Sequence, residues 1–196
     1  MSGEDVENKP VSRVGPELQY EVEQWYYREA RLLDGREYRQ WLALCLPEIR
    51  YVVPGRGNPL VDNDLRGQEE MISVDRELEG RDSAGLPIRD ETLPYLMLRV
   101  ERAYKPNAWS ENPPARTRRL VGNVEIQGIE GDELSVLSAF HLHWSRPGSR
   151  SFLYAGQRRD VLRRAEGGAL GELRLRSREV VMDLSEIEYP TLGLFL

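Results

Sequence analysis

The chain has 196 residues, 40% of them hydrophobic and 31% charged, enough apolar material for one domain with a core of ordinary size. Its formal net charge of -6 is unevenly spread: residues 1–98 hold 12 Lys+Arg against 20 Asp+Glu, and residues 99–196 hold 15 against 13. A mildly positive half joined to an acidic one lacks the uncompensated cationic surface that a phosphate backbone needs, so nucleic acid is not expected as a partner.

From the N-terminus, residues 1–16 read as a flexible polar arm and 17–196 as a single α+β domain. "MSGEDVENKPVSRVGPE" lacks the basic-then-apolar order of a signal peptide, and no run of about 18 apolar residues occurs. A soluble, cytoplasmic protein is expected. Pro16 suits the first turn of a helix carrying Leu18, Val22, Trp25, Tyr26, Ala30 and Leu33 at helical spacing, with Gly35 as its stop. A second helix is predicted through "REYRQWLALC", ended by Pro47. Cys45, the only cysteine, sits on it in an apolar run, which suits a small buried thiol in a reducing compartment and excludes an internal disulfide.

"IRYVVP" reads as a short strand, and residues 55–92 as a long polar excursion of a kind that forms a lobe against a partner. Asp90 is placed as the N-cap of a third helix, with Pro94 in its first turn and Leu93, Met97, Val100 and Tyr104 on its apolar face. From residue 116 the hydrophobic period changes to two. Four strands follow, "RTRRLVGNVEIQ", "ELSVLSAFHLHWSR", "RSFLYAGQRRDVLRR" and "ELRLRSREVVMDL", joined by "IEGD", "PGS" and "EGGALG". Helices followed by a curved antiparallel meander describe a sheet wrapped around the helices as a cone.

Chemistry is scarce in this composition. A Rieske cluster needs two cysteines and two histidines, and a facial-triad iron needs two more histidines and a carboxylate. The chain has one Cys and two His. His141 and His143 share one strand face opposite Leu134, Val136, Phe140, Leu142 and Trp144, which places them outside the core without a third ligand at useful spacing. The Arg-rich stretches "GQRRDVLRR" and "LRLRSR" read as strand faces available for ion pairing, and 25 of the 27 basic residues are Arg, whose planar fork suits such pairs.

These residues carry a family resemblance. "VEQWYYREARLLDGREYRQWLAL" with "YVVP", then "LRVERAYKPNAWSENPPARTRRLVGNV", and finally "YAGQRRDVLRR", "SREVVMDLS" and "TLGLFL" resemble, in order, the small (β) subunit of bacterial aromatic-ring-hydroxylating dioxygenases of the biphenyl, cumene and naphthalene type. Departures lie between residues 55 and 92, longer and more acidic here, and at Ala115, where a serine is usual.

The resemblance implies a cone like that of scytalone dehydratase and ketosteroid isomerase, assembled with a catalytic α subunit as α3β3. It implies no catalytic, cofactor or metal residues in this chain. The Rieske [2Fe-2S] cluster and mononuclear Fe(II) belong to the α subunit, which draws electrons from NADH through a reductase and ferredoxin and cis-dihydroxylates an arene. The expected role is structural: trimerising and organising the α subunits. Two other readings stay open at this point, a free-standing cone-fold dehydratase or isomerase and a module binding a small hydrophobic ligand.

Subunit contacts are expected at Trp109, held by the stiff Pro113-Pro114 pair, at Arg116 and Arg118, and at the apolar Leu192, Leu194, Phe195 and Leu196. Alternation places Arg116 and Arg118 on the side of Leu120, Val124 and Ile126, with Arg119 and Asn123 opposite. Within the chain, Glu29 or Asp34 would be the carboxylate partners of those two arginines.

Overall fold

In the computed structural model, which describes residues 14–80, 85–165, 172–186, 188 and 194–196, helix α1 (Pro16–Asp34) opens with proline at its first turn and Glu17 beside it. The fixed φ and missing N–H of proline fit that position, where the amide would have no helical partner. Its inward stripe is Val22, Trp25, Tyr26, Glu29, Leu32 and Leu33, a helical 3–4 spacing that sets a carboxylate among apolar side chains. At its end the left-handed residue is Arg36 (φ 60°) rather than Gly35 (φ -77°). The Glu37 amide closes back on the Leu32 carbonyl at 2.8 Å, the bond of a Schellman ending.

The second helix is shorter than its periodicity suggests. α2 covers only Tyr38–Leu42, and Cys45 begins strand β1 (Cys45–Val53) instead of ending a helix. Pro47 therefore lies inside a strand, next to the irregular register between Cys45 and Arg50. A neighbouring strand supplies the partner that sequence alone does not show: the Leu175 amide donates to the Leu44 carbonyl at 2.7 Å.

The excursion after β1 contains a two-stranded ribbon, β2 (Gly55–Arg56) with β3 (Leu78–Glu79), around three short 3-10 turns between Asn63 and Glu77. Strand β4 (Arg89–Thr92) follows and pairs with β1. Asp90 is thus a strand residue. Its carboxylate accepts from Arg50 Nε and Nη2 at 3.1 and 3.0 Å, and Thr92 occupies the N-cap position of α3 (Leu93–Ala103). The buried face of α3 is Leu96, Arg99 and Val100, so the predicted stripe through Met97 and Tyr104 is displaced by one residue.

The predicted meander is present as β5 (Arg116–Glu130), β6 (Glu133–Ser145), β7 (Phe152–Arg164) and β8 (Leu173–Met182). It joins β1 and β4 in a six-stranded sheet of order β4-β1-β8-β7-β6-β5, with β1 parallel to β8 and every other pair antiparallel. The concave side carries Leu134, Val136, Phe140, Leu142 and Trp144, all buried as expected.

Strand β5 departs from simple alternation. Its pairing with β6 slips between Gly122 and Glu125, and Asn123 has φ 49°. This is a bulge, and it reverses which side chains point inward. Before it Arg119 is buried and Leu120 is 68% exposed; after it Ile126 is buried. The grouping of Arg116 and Arg118 with Ile126 is corrected accordingly: both arginines lie on the outer face.

Candidate functional site

A closed ionic cluster occupies the cone interior. Glu29 of α1 accepts from Arg178 of β8 through both oxygens, at 2.7 and 3.0 Å, from Trp41 Nε1 at 3.1 Å and from Arg158 of β7 at 3.3 Å. Asp160 accepts from Arg178 Nε at 2.9 Å and Nη2 at 2.8 Å, and from the Tyr26 hydroxyl at 2.7 Å. Arg158 also lies 4.8 Å from the centre of the Phe140 ring. All these ionised side chains are buried.

Two carboxylates against two guanidinium groups leave no net charge. Burial pushes the Glu29 carboxyl up, but Arg178 and Arg158 outweigh it and hold the group below the usual carboxylate range. Burial alone would lower Arg178; its two carboxylate partners raise it well above the ordinary arginine value. A carboxylate held ionised, with its lone pairs occupied, offers neither a proton nor a free base. The cluster therefore fastens α1 to β7 and β8. The Arg-rich strands, read as faces available for ion pairing, turn Arg158 and Arg178 inward, where their partners are carboxylates of the same chain.

Leu194, Phe195 and Leu196 fill another part of the cone. All three are buried in the chain's own core, which corrects the expectation of an apolar segment placed at a subunit boundary. Phe195 packs 4.5 Å from Trp41 and 5.6 Å from Tyr38, centre to centre, under the Arg99 guanidinium at 4.2 Å. Backbone groups are held too: Arg99 Nη2 donates to the Leu194 carbonyl at 2.5 Å, Arg119 Nη2 to the Phe195 carbonyl at 2.5 Å, and Tyr51 Oη to the Leu196 carbonyl at 2.6 Å. Leu192 lies outside the described residues.

Arg119 also bonds Asp34, which accepts from the Arg119 backbone amide at 2.8 Å and the Thr117 hydroxyl at 2.9 Å. The carboxylates considered for Arg116 and Arg118 are thus taken by others, Glu29 by Arg178 and Arg158, and Asp34 by Arg119. The bulge at Asn123 explains the difference, and the Gly122-Asn123 pair inside a strand is the sequence signal for it. Beside this brace a cleft of about 220 Å³ remains at the cone mouth, lined by residues including Tyr38, Tyr104, Glu111, Arg119, Trp144 and Phe195.

The loop preceding β5 is held by its carbonyls. Arg146 Nη2 donates to the Trp109 and Asn112 carbonyls at 2.9 and 2.7 Å, while Arg36 donates to the Ala115 carbonyl at 3.0 and 2.7 Å. These two clamps, absent from any local pattern, fix the backbone and leave the Trp109 ring 79% exposed. Next to it lies the outer face of β5–β7, with Arg118, His143 and Leu153 in one cross-strand row and Leu120, His141 and Ala155 in the next. Leu120 and Leu153 are well exposed. Among the described residues, Arg116 and Arg118 form no ion pair.

Other polar chemistry is limited. His141 and His143 are exposed on that outer face, and among the described residues no group of three or more His, Cys, Asp or Glu converges as a metal site does. Cys45 is buried, and burial pushes its thiol up to about 12, with Glu29 nearby adding to the effect. Such a thiol is a poor nucleophile at neutral pH. Among the described residues, no helix is long and apolar enough to cross a membrane.

Comparison with known proteins agrees with this geometry. The family model for the ring hydroxylating beta subunit matches residues 28–189. Benzene 1,2-dioxygenase subunit beta of Pseudomonas putida (strain F1) is 35% identical over 192 residues, covering 97% of this chain and 95% of that protein. A solved naphthalene 1,2-dioxygenase with indole in its active site aligns with a TM-score of 0.74 at 26% identity, over 94% of this chain and 89% of that one. A scytalone-dehydratase-like protein of Novosphingobium aromaticivorans shares the fold, with a TM-score of 0.55 at 12% identity over 84% of this chain and 83% of that one.

Proposed function

The chain belongs to the ring-hydroxylating beta-subunit family, and on that premise we propose that it is the non-catalytic scaffold of an aromatic-ring dioxygenase, trimerising and organising three catalytic α subunits as α3β3. It acts within an oxygenase complex and has no turnover of its own. One observation carries the reading. The two carboxylates buried inside the cone, Glu29 and Asp160, which could serve as acid or base in a free-standing dehydratase or isomerase, are each held in ion pairs by Arg178, with Arg158 also on Glu29.

In this proposal the α subunit holds the Rieske [2Fe-2S] cluster and the mononuclear iron, receives electrons from NADH through a reductase and ferredoxin, and cis-dihydroxylates an arene in the cytoplasm. One Cys and two His in this chain are too few for both centres. Residues 17–196 act as one domain, and its α or β neighbours meet it at Trp109, Arg116 and Arg118. An exposed aromatic ring on a clamped backbone loses little freedom on docking, which suits an anchor.

The test is co-production with its catalytic partner. Arene oxidation should follow the complex, with none from this chain alone, and the two should co-purify in equal numbers. Turnover by the isolated chain, or failure to capture the partner, would refute the proposal.

A further inference from the structure

The excursion between β1 and β4 and the outer face of β5–β7 are chemical complements. Asp64, Glu69 and Glu70 on the excursion are exposed and form no ion pair among the described residues. Leu60, Ile72 and Val74 lie exposed among them. The outer face repeats the arrangement with opposite sign, setting Arg116, Arg118 and the two histidines among exposed Leu120 and Leu153.

The lobe is held in place. Arg56 bonds Glu77 at 2.7 Å and the Met182 carbonyl at 2.8 Å, and Arg159 on the outer side of β7 bonds Asp75 at 2.8 Å. Arg159 stands six residues along β7 from Leu153, roughly 20 Å at strand rise. Among the described residues no ion pair joins the acidic and basic sets within one chain.

We infer that the acidic lobe of one copy docks on the Arg116–Arg118–His143 face of the next, joining copies head to tail. This inference rests on the trimerisation reading above and names the surfaces that perform it. Two identical basic faces set against each other would put Arg118 near Arg118, which is repulsive, whereas the acidic lobe of another copy meets the same face with opposite charge. The contact also sets the acidic half of one chain against the mildly basic half of another, offsetting the general repulsion between copies of charge -6. Clamped elements on both sides keep the ordering cost of docking low.

Charge reversal with rescue tests it on the full chain, read by native mass spectrometry and sedimentation at low salt. Glu69→Arg with Glu70→Arg, and separately Arg116→Glu with Arg118→Glu, should each weaken self-association by at least about tenfold. The fourfold variant should recover most of that loss. Reversed variants that keep the wild-type oligomer, or a fourfold variant that stays dissociated, overturn the contact while the oligomer itself stands. A wild-type chain that is monomeric at every concentration overturns the self-association reading beneath it. Reversals that spare self-association and abolish only capture of the catalytic chain assign the face to that chain, which also overturns the inference.

Discussion

Arg178 of β8 grips Glu29 of α1 with both terminal nitrogens, Nη1 to Oε1 at 2.7 Å and Nη2 to Oε2 at 3.0 Å, where neither side chain is reached by solvent. Removing one partner of such a pair strands the other charge. Glu29→Ala should destabilise the isolated chain by about 3–5 kcal/mol in urea unfolding. Arg178→Lys should recover little, because an ammonium cannot make the paired contact and still reach Asp160. A loss below about 1 kcal/mol would show that the cluster contributes nothing net.

The same pair sets a pH dependence. The folded pKa of Glu29 lies below its unfolded value, near 4.3 for a free glutamate. Its contribution is therefore complete above that unfolded value and disappears as pH falls through the lower folded one. Acid titration of stability should show this loss below about pH 4, and Glu29→Gln should flatten it relative to wild type. A variant with an unchanged acid limb would assign the loss to other carboxylates.

Phe195 is a core residue here. Phe195→Ala should lower stability by about 3–5 kcal/mol and leave a cavity beside Trp41 and Tyr38. The effect should appear in the isolated chain. A variant whose isolated stability is unchanged but whose assembly fails would instead mark Phe195 as a contact with another subunit.

Trp109 should behave in the opposite way. With its ring largely exposed, Trp109→Ala should shift isolated stability by no more than about 0.5 kcal/mol. Assembly should weaken by about 2 kcal/mol, read from the concentration dependence of the complex. Normal assembly of the variant would remove Trp109 from the interface.

Cys45 should resist thiol reagents in the native chain and react on unfolding, since burial raises its thiol to about 12. Labelling kinetics against denaturant concentration would measure this, and rapid native labelling would contradict it.

Sequence patterns revealed the parts of this molecule that depend on local spacing. α1, the four-strand meander and the inward row from Leu134 to Trp144 follow from periods of 3.6 and 2, and the structure has them. Where distant partners decide, local pattern was insufficient. Cys45 became a strand residue because β8 offers a ladder, Asp90 because β1 pairs with it opposite Val52 while Arg50 holds its carboxylate from the side, and α3 turned by one residue so that Arg99 could reach the Leu194 carbonyl. The candidate interface divided on the same principle. Trp109, Arg116 and Arg118 are outward, while Leu194, Phe195 and Leu196 have partners within the chain that an apolar run could not disclose.

The parallel pairing of β1 with β8 has a consequence for how the chain is made. Cys45 pairs with Leu175 and Tyr51 with Arg178, so the middle of the sheet joins segments synthesised far apart in time. Until β7 and β8 leave the ribosome, α1 presents Glu29 without its guanidinium partners and β1 has an unfilled edge. The nascent amino-terminal part cannot settle as an independent unit, and native structure must arrive late and nearly all at once. Contacts of such long separation make folding slow, and the waiting helix and strand are the segments most exposed to chaperones or to aggregation.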